Sequence, residues 1–306
     1  MTSCGFDSLP TQVTTRRTIH GLAFNLLVVG PTGIGKTTLI NSLFDFDYGD
    51  SPDYERGISD VELLVKEYRP QNKTIEMKLT IIETKGFNNQ LDRSEIYKPV
   101  VDYIEARYED YLRDELRVLE SKYNDIADSR VHCCIYMISP TTRKLKPIDL
   151  VTMKKLHQRV CLIPVIGRSD SLTKNERDSI KRSIMKEITE NGIKIYSASD
   201  FDLPFAVSAS DDIIEDNGKR QRVRCFPWGR MYIDSHSDFP ALRDLLLRSN
   251  MLSLIDTTNK VHYEKYRKEA TKEFQDFFDY KLKCEEEKAM LQKEIDRHSK
   301  LSATVA

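Results

Sequence analysis

Apolar positions along the chain fall into short blocks whose spacing alternates between that of strands and that of helices. Phe24 to Gly30 is a short apolar run closed by glycine, and Lys36 to Phe44 follows with Leu39, Ile40 and Leu43 at helical spacing, which predicts strand, loop, helix. Val61 to Tyr68 and Thr74 to Thr84 are extended runs separated by Arg69 to Asn72. In the second, Ile75, Met77, Leu79 and Ile81 alternate on one face, which predicts a hairpin. Val131 to Ile138 and Val160 to Ile166 are continuous apolar runs of the kind buried on both faces of a sheet, with helical patterns between and after them, and Leu203 to Val207 reads as one more short strand. The alternation predicts an α/β fold with a mostly parallel sheet and helices on both faces. Residues 1–20 show no periodicity and read as a flexible N-terminal arm. After Phe239 the pattern turns helical. From 268 to 306 charge dominates, with a broken apolar stripe at Phe274, Phe278, Leu282, Met290, Leu291 and Ile295.

Composition narrows this picture. The 306 residues are 40% apolar, enough for one substantial core with appendages. Lysine plus arginine (47) nearly balances aspartate plus glutamate (48), so no global field points to nucleic acid. No apolar run approaches the roughly 20 residues that span a bilayer. Nothing near Met1 resembles a secretory signal, so the six cysteines are expected in a reducing compartment, with Cys133 and Cys134 as buried thiols and not a zinc site.

The chemistry concentrates in three segments. Gly30 to Thr37 (GPTGIGKT) fits G-x-x-x-x-G-K-[ST] between a predicted strand and a predicted helix. Glycines there let backbone N–H groups converge on phosphates, Lys36 adds a point charge, the helix N-terminus adds a favourable dipole, and the Thr37 hydroxyl can ligate Mg2+. Val165 to Asp170 (VIGRSD) follows a buried strand where guanine-binding folds place an N-K-x-D-like segment. Asp170 is the proposed reader of N1–H and the 2-amino group of guanine, although an aspartate at this place also serves as an ordinary helix cap. The segment Glu83 to Gly86 (ETKG) stands for D-x-x-G, keeping the glycine that senses the terminal phosphate and lengthening the carboxylate by one methylene.

With these motifs in place the chain resembles the septins, GTP-binding proteins that form filaments, over residues 21–267. The resemblance rests on Gly30 to Phe44 (GPTGIGKTTLINSLF), on Pro99 to Ile104, on Ser139 to Thr141 and Leu145 to Pro147, on Trp228-Gly229, Asp238-Phe239 and Leu242-Arg243, and on His262 to Arg267. It implies a P-loop NTPase fold of the Ras-like kind with a septin-unique element at about 225–267. It implies GTP or GDP held by Gly30, Thr32, Gly33, Gly35, Lys36, Thr37, Thr38, Gly86, Arg168, Asp170 and Arg224, the last packing near the base. Partners would be other septins, met across the nucleotide face and through the terminal helices, with Arg143, Trp228 and Phe239 at interfaces. On physical grounds alone Trp228 reads equally as core, and Phe239, Leu242 and Leu246 as ordinary helix packing. The implied setting is the cytoplasm and cytoskeleton, at the cell cortex and the division site.

Departures from the septin pattern bear on turnover. Septins that hydrolyse GTP carry a switch threonine eighteen positions before the strand segment that begins here at Lys78, and the count lands on Asp60. Together with Glu83, this resembles the septin subgroup that binds GTP and keeps it, with Mg2+ weakly held; a catalytically active GTPase switch is the alternative. Arg168 replaces the usual lysine and Arg143 replaces a histidine that reaches the neighbouring subunit's nucleotide. Arg16 and Arg17 resemble a reduced membrane-binding basic segment, whose two charges contribute about 2 kcal/mol, so contact with anionic membrane should be weak. The tail reads equally as the start of a coiled coil and as a solvated charged helix.

Overall fold

A computed structural model describes residues 22–44, 61–69, 77–87, 95–120, 126–141, 143–197, 200–216, 219–227 and 229–272. The N-terminal arm with Arg16 and Arg17, the switch position Asp60, Trp228 and the tail from residue 273 lie outside the described residues. The chain divides into two units, residues 1–262 and 263–306.

In the first unit the six-stranded sheet runs in the order β2-β3-β1-β4-β5-β6, formed by β1 (Leu22–Val29), β2 (Glu62–Tyr68), β3 (Met77–Lys85), β4 (Cys133–Ile138), β5 (Cys161–Ile166) and β6 (Phe205–Ala206). Only β2 runs antiparallel, with Leu64 opposite Glu83, so the expected pairing forms with β2 at the sheet edge, and its partner β3 pairs in parallel with β1 on its other side. Strands β4 and β5 are buried at every position, as their unbroken apolar runs predict. Helices α1 (Lys36–Phe44), α2 (Lys98–Glu120), α3 (Pro147–Leu156) and α4 (Lys174–Glu190) alternate with the strands. The core joins Phe24, Leu26 and Val28 to Leu39, Ile40, Leu43, Ile135 and Ile163.

A second sheet is an antiparallel meander of β7 (Ile213–Asp216), β8 (Lys219–Phe226) and β9 (Gly229–Tyr232). The helical region then begins at α5 (Ile233–His236), six residues before the pattern suggests, and continues through α6 (Phe239–Asp244), a π-helical turn at Leu245–Ser249, α7 (Met251–Thr257) and a second π-helical stretch at Thr258–Tyr263. Phe239, Leu242, Leu245 and Leu246 face inward and join the core. In the second unit, residues 264–272 are helical and carry surface ion pairs Glu264–Arg267 and Lys265–Glu269. None of the described helices is long and apolar enough to cross a membrane.

Strand β4 begins two residues later than its apolar run because side chains satisfy the backbone there. Asn25 donates its N–H to His132 Nδ1 (3.0 Å) and its side-chain amide to the carbonyls of Asp128 and Arg130 (3.0 and 2.7 Å). Arg130 makes a two-pronged pair with Asp128 (2.9 and 2.7 Å), and the other nitrogen of His132 meets Asp128 Oδ2 at 3.1 Å. Burial opposes the charge on Asp128, yet the bonds from His132 and Arg130 outweigh it and hold the carboxyl well below the usual carboxylate range. The knot fixes the entry of β1, whose far end carries the phosphate loop.

Candidate functional site

Strand β1 delivers Gly30 to the C-terminal edge of the sheet between β3 and β4. A Cβ at Gly30 would lie 2.8 Å from Met137 Cβ and 2.9 Å from the Met137 carbonyl, so only glycine lets the loop leave the sheet here. Gly35, with φ 98°, turns the loop into α1 in a conformation that side chains resist. Lys36 is 4% exposed and its ammonium donates to the carbonyls of Gly30 (3.0 Å) and Pro31 (3.1 Å). Burial pulls its pKa down to about 8, against the opposing charge of Glu83.

The Thr37 hydroxyl donates to Glu83 Oε1 at 2.9 Å. Glu83 is 1% exposed. Burial raises its pKa, while the Thr37 bond and the charges of Lys36, Lys85 and Lys66 oppose the rise. Glu83 Oε2 and Thr32 Oγ1 are buried without hydrogen-bond partners among the described residues. Thr32 N–H donates to the Phe87 carbonyl (3.3 Å), and Gly86, buried with φ 70°, lies beside that contact at the end of β3. The ETKG segment therefore packs against the phosphate loop, as its motif requires. A hydroxyl and a carboxylate in contact, with one carboxylate oxygen unpartnered, form a hard-oxygen donor set that fits Mg2+.

The opposite end of the loop meets the segment after β5. Arg168 adopts a left-handed backbone (φ 51°, ψ 44°) and its guanidinium donates to the Gly33 carbonyl. Asp170 sits in the 3-10 turn Ser169–Ser171 with its side chain 8% exposed. Ser208, just after β6, donates to Asp170 Oδ1 (2.9 Å) and accepts from the Asp170 N–H (2.8 Å). Arg224, carried in by β8, meets Asp170 Oδ2 at 3.1 Å. A cavity of about 590 Å³ lies between these parts. Its walls include Gly33, Gly35, Lys36, Thr37, Thr38, Arg168, Arg224 and Cys225, so the phosphate loop, the guanine segment and the meander share one space.

Two of the expected interface residues, Arg143 and Phe239, fall elsewhere. Arg143 is exposed and lines a second cavity of about 340 Å³ with Leu172, Asn175 and Glu176. Phe239, expected at an interface, is 2% exposed inside the core; its N–H bond to Ser237 Oγ (3.2 Å) starts α6 with the ring turned inward. Ser208 was not anticipated from the sequence. The available signal was the small polar stretch Ser208 to Ser210 directly after a buried strand, the same relation that Asp170 bears to β5.

A glycine-rich loop that leaves the first strand of a parallel sheet and enters a helix through a lysine and a threonine defines a P-loop NTPase fold. The septin family model matches residues 20–278. Septin-8-A of Danio rerio is 42% identical over 281 residues, covering 86% of this chain and 66% of that protein. Septin-11 of Homo sapiens is 40% identical over 279 residues, covering 86% and 65%. The crystal structure of the septin GTPase domain from Chlamydomonas reinhardtii superposes with a TM-score of 0.58 at 27% identity, over 80% of this chain and 98% of that domain. The chain belongs to the septin family, and it spans just under two thirds of the length of these curated relatives.

Proposed function

We propose that this chain is a septin subunit that binds GTP and holds it as part of an assembly surface, with little or no hydrolysis. The observation that carries the reading is the base end of the cavity. There Arg168 and Arg224 line the same space as the phosphate loop, and Arg224 with Ser208 holds the nearly buried Asp170 carboxylate. Guanine offers two adjacent N–H donors to such a carboxylate, whereas adenine would leave it unpaired. Lys36, Thr37, Thr38 and the loop glycines would hold the phosphates, Gly86 the terminal one, and Arg168 and Arg224 would flank the base.

Thr37 would ligate Mg2+, with Glu83 supporting its waters; the ion, when bound, neutralises phosphate charge. Donation of the Thr37 hydroxyl hydrogen to Glu83 leaves the Thr37 oxygen lone pairs free for the ion; the longer side chain of Glu83 is what would weaken the hold. Turnover needs groups that position water and metal, and Asp60 for threonine together with Glu83 for aspartate alters two of them. The retained carboxylate at Glu83 favours a second reading, a working GTPase switch.

As a septin subunit the chain would assemble with other septins through the nucleotide face and the terminal helices, acting in the cytoplasm at the cortex and the division site, with weak contact to anionic membrane. Two measurements test the reading. Titration calorimetry on nucleotide-free protein should show GTP binding and no ATP binding; equal affinity would sink the guanine assignment. Asp60→Thr should raise multiple-turnover GTP hydrolysis, and unchanged turnover would remove Asp60 from the explanation.

A further inference from the structure

We infer that a cavity at the end of the sheet away from the phosphate loop binds a free long-chain carboxylate, a single apolar chain with an anionic head. Met77 on its wall opens β3 and pairs in parallel with Leu22, the first residue of β1, whereas the phosphate loop leaves β1 beyond Val29. The space measures about 540 Å³, within the roughly 300–1,000 Å³ of small-molecule sites. Its floor belongs to the core: Leu43 at the close of α1, Leu79 in β3 and Met251 at the start of α7 are all buried. Half-buried Phe44 and Leu247 close the sides. Apolar surface of this kind gains by exchanging water for hydrocarbon.

The polar part of the lining fixes the sign of the head group. Among the described residues the wall carries two cations, Arg69 after β2 and Arg243 in α6, together with Tyr68 and no carboxylate. The nearest acidic residues in sequence are engaged by other groups: Glu67 pairs with Lys78 at 2.8 Å, and Asp244 meets Arg248 at 3.7 Å and accepts from the Ser249 hydroxyl at 2.9 Å. Arginine suits such a rim, since its methylene stem lies along apolar surface while the guanidinium matches a carboxylate with two parallel N–H groups. An aliphatic amine of equal length would bring its charge against two like charges. The inference does not depend on the guanine reading, because the nucleotide cavity lies at the other end of β1.

Titration calorimetry on the full chain, with saturated carboxylates of increasing length kept below micelle-forming concentration, reads the cavity directly. Affinity should rise about threefold to fourfold per added methylene until the space is full. Dodecylamine should bind about tenfold or more weakly than dodecanoate. Arg69→Gln combined with Arg243→Gln should lower dodecanoate affinity about tenfold or more and change dodecanol affinity by less than about threefold. Leu247→Trp, which fills the space, should abolish binding of both; if that variant melts early, the arginine pair and the chain-length series decide alone. A flat chain-length dependence, equal binding of the amine, or no binding would overturn the inference. Displacement of dodecanoate by GTP would overturn it too, by placing the chain in the nucleotide cavity. So would binding to vesicles of anionic lipid without binding of the free acid. The residues before Leu22 join β1 beside Met77, so binding seen only after residues 1–20 are removed would assign the cavity to the chain's own N-terminal segment and likewise overturn the inference.

Discussion

Replacing Lys36 with methionine should abolish nucleotide binding and, in nucleotide-free protein, stabilise the fold. Lys36 is 4% exposed and its pKa falls from 10.5 to about 8, chiefly through burial. At about 1.4 kcal/mol per pH unit, holding the proton at neutral pH costs the folded state roughly 3 kcal/mol. Methionine removes that cost but leaves the Gly30 and Pro31 carbonyls without this donor and Glu83 with the charges of Lys85 and Lys66 alone. Those losses offset part of the gain, so the net stabilisation should be about 1–2 kcal/mol. The pH dependence is the sharper signature. The unfolded chain keeps the lysine proton to about pH 10.4, whereas the folded protein releases it near 8. Between those values the unfolded state binds more protons, so wild-type stability should rise with pH. Urea titrations of nucleotide-free wild-type and Lys36→Met protein from pH 7 to 10 would show a rising wild-type curve and a flat variant curve. A variant less stable at pH 7, or parallel curves through the window, would refute the claim that this lysine is held charged at the expense of the fold.

Asp128→Asn should destabilise the chain by roughly 2–4 kcal/mol, since Arg130 and His132 lose a buried charged partner. Because the native carboxyl titrates well below its unfolded value, its contribution is present above about pH 4 and fades as the pH falls further; acid titration of the variant should lack that loss. Phe239→Ala should cost about 3–5 kcal/mol in denaturant titration of the isolated subunit, because the ring is in the core; unchanged stability with impaired assembly would return Phe239 to an interface. Gly30→Ala should lower the melting temperature, because the new methyl meets Met137 backbone and Cβ within 3 Å, and normal melting with full GTP affinity would contradict the packing argument.

The parts of the fold legible in the sequence were those where burial speaks through periodicity. Strand β1, the loop and α1 were readable because an apolar run ends on glycine and resumes at helical spacing, and β4 and β5 because both faces are covered. The meander was not, because Lys219 to Arg222 in β8 are all polar and, among the residues of β8 whose burial is described, Val223 alone is fully buried. The phosphate end of the site was explicit as a motif. Its energetics were not: Glu83 was recognisable as a departure, but its bond to Thr37 and its unpartnered oxygen depend on β3 lying beside β1. Ser208 and the Asp128 knot likewise join residues far apart in sequence, and no local pattern encodes such pairs.

Retention of GTP can be read directly from what the protein carries. Protein purified without added nucleotide, denatured, and resolved by ion-exchange chromatography should release GTP in near-equal amount to the chain. Stoichiometric GDP would contradict retention without hydrolysis, and release of adenine nucleotide would contradict the reading of Asp170.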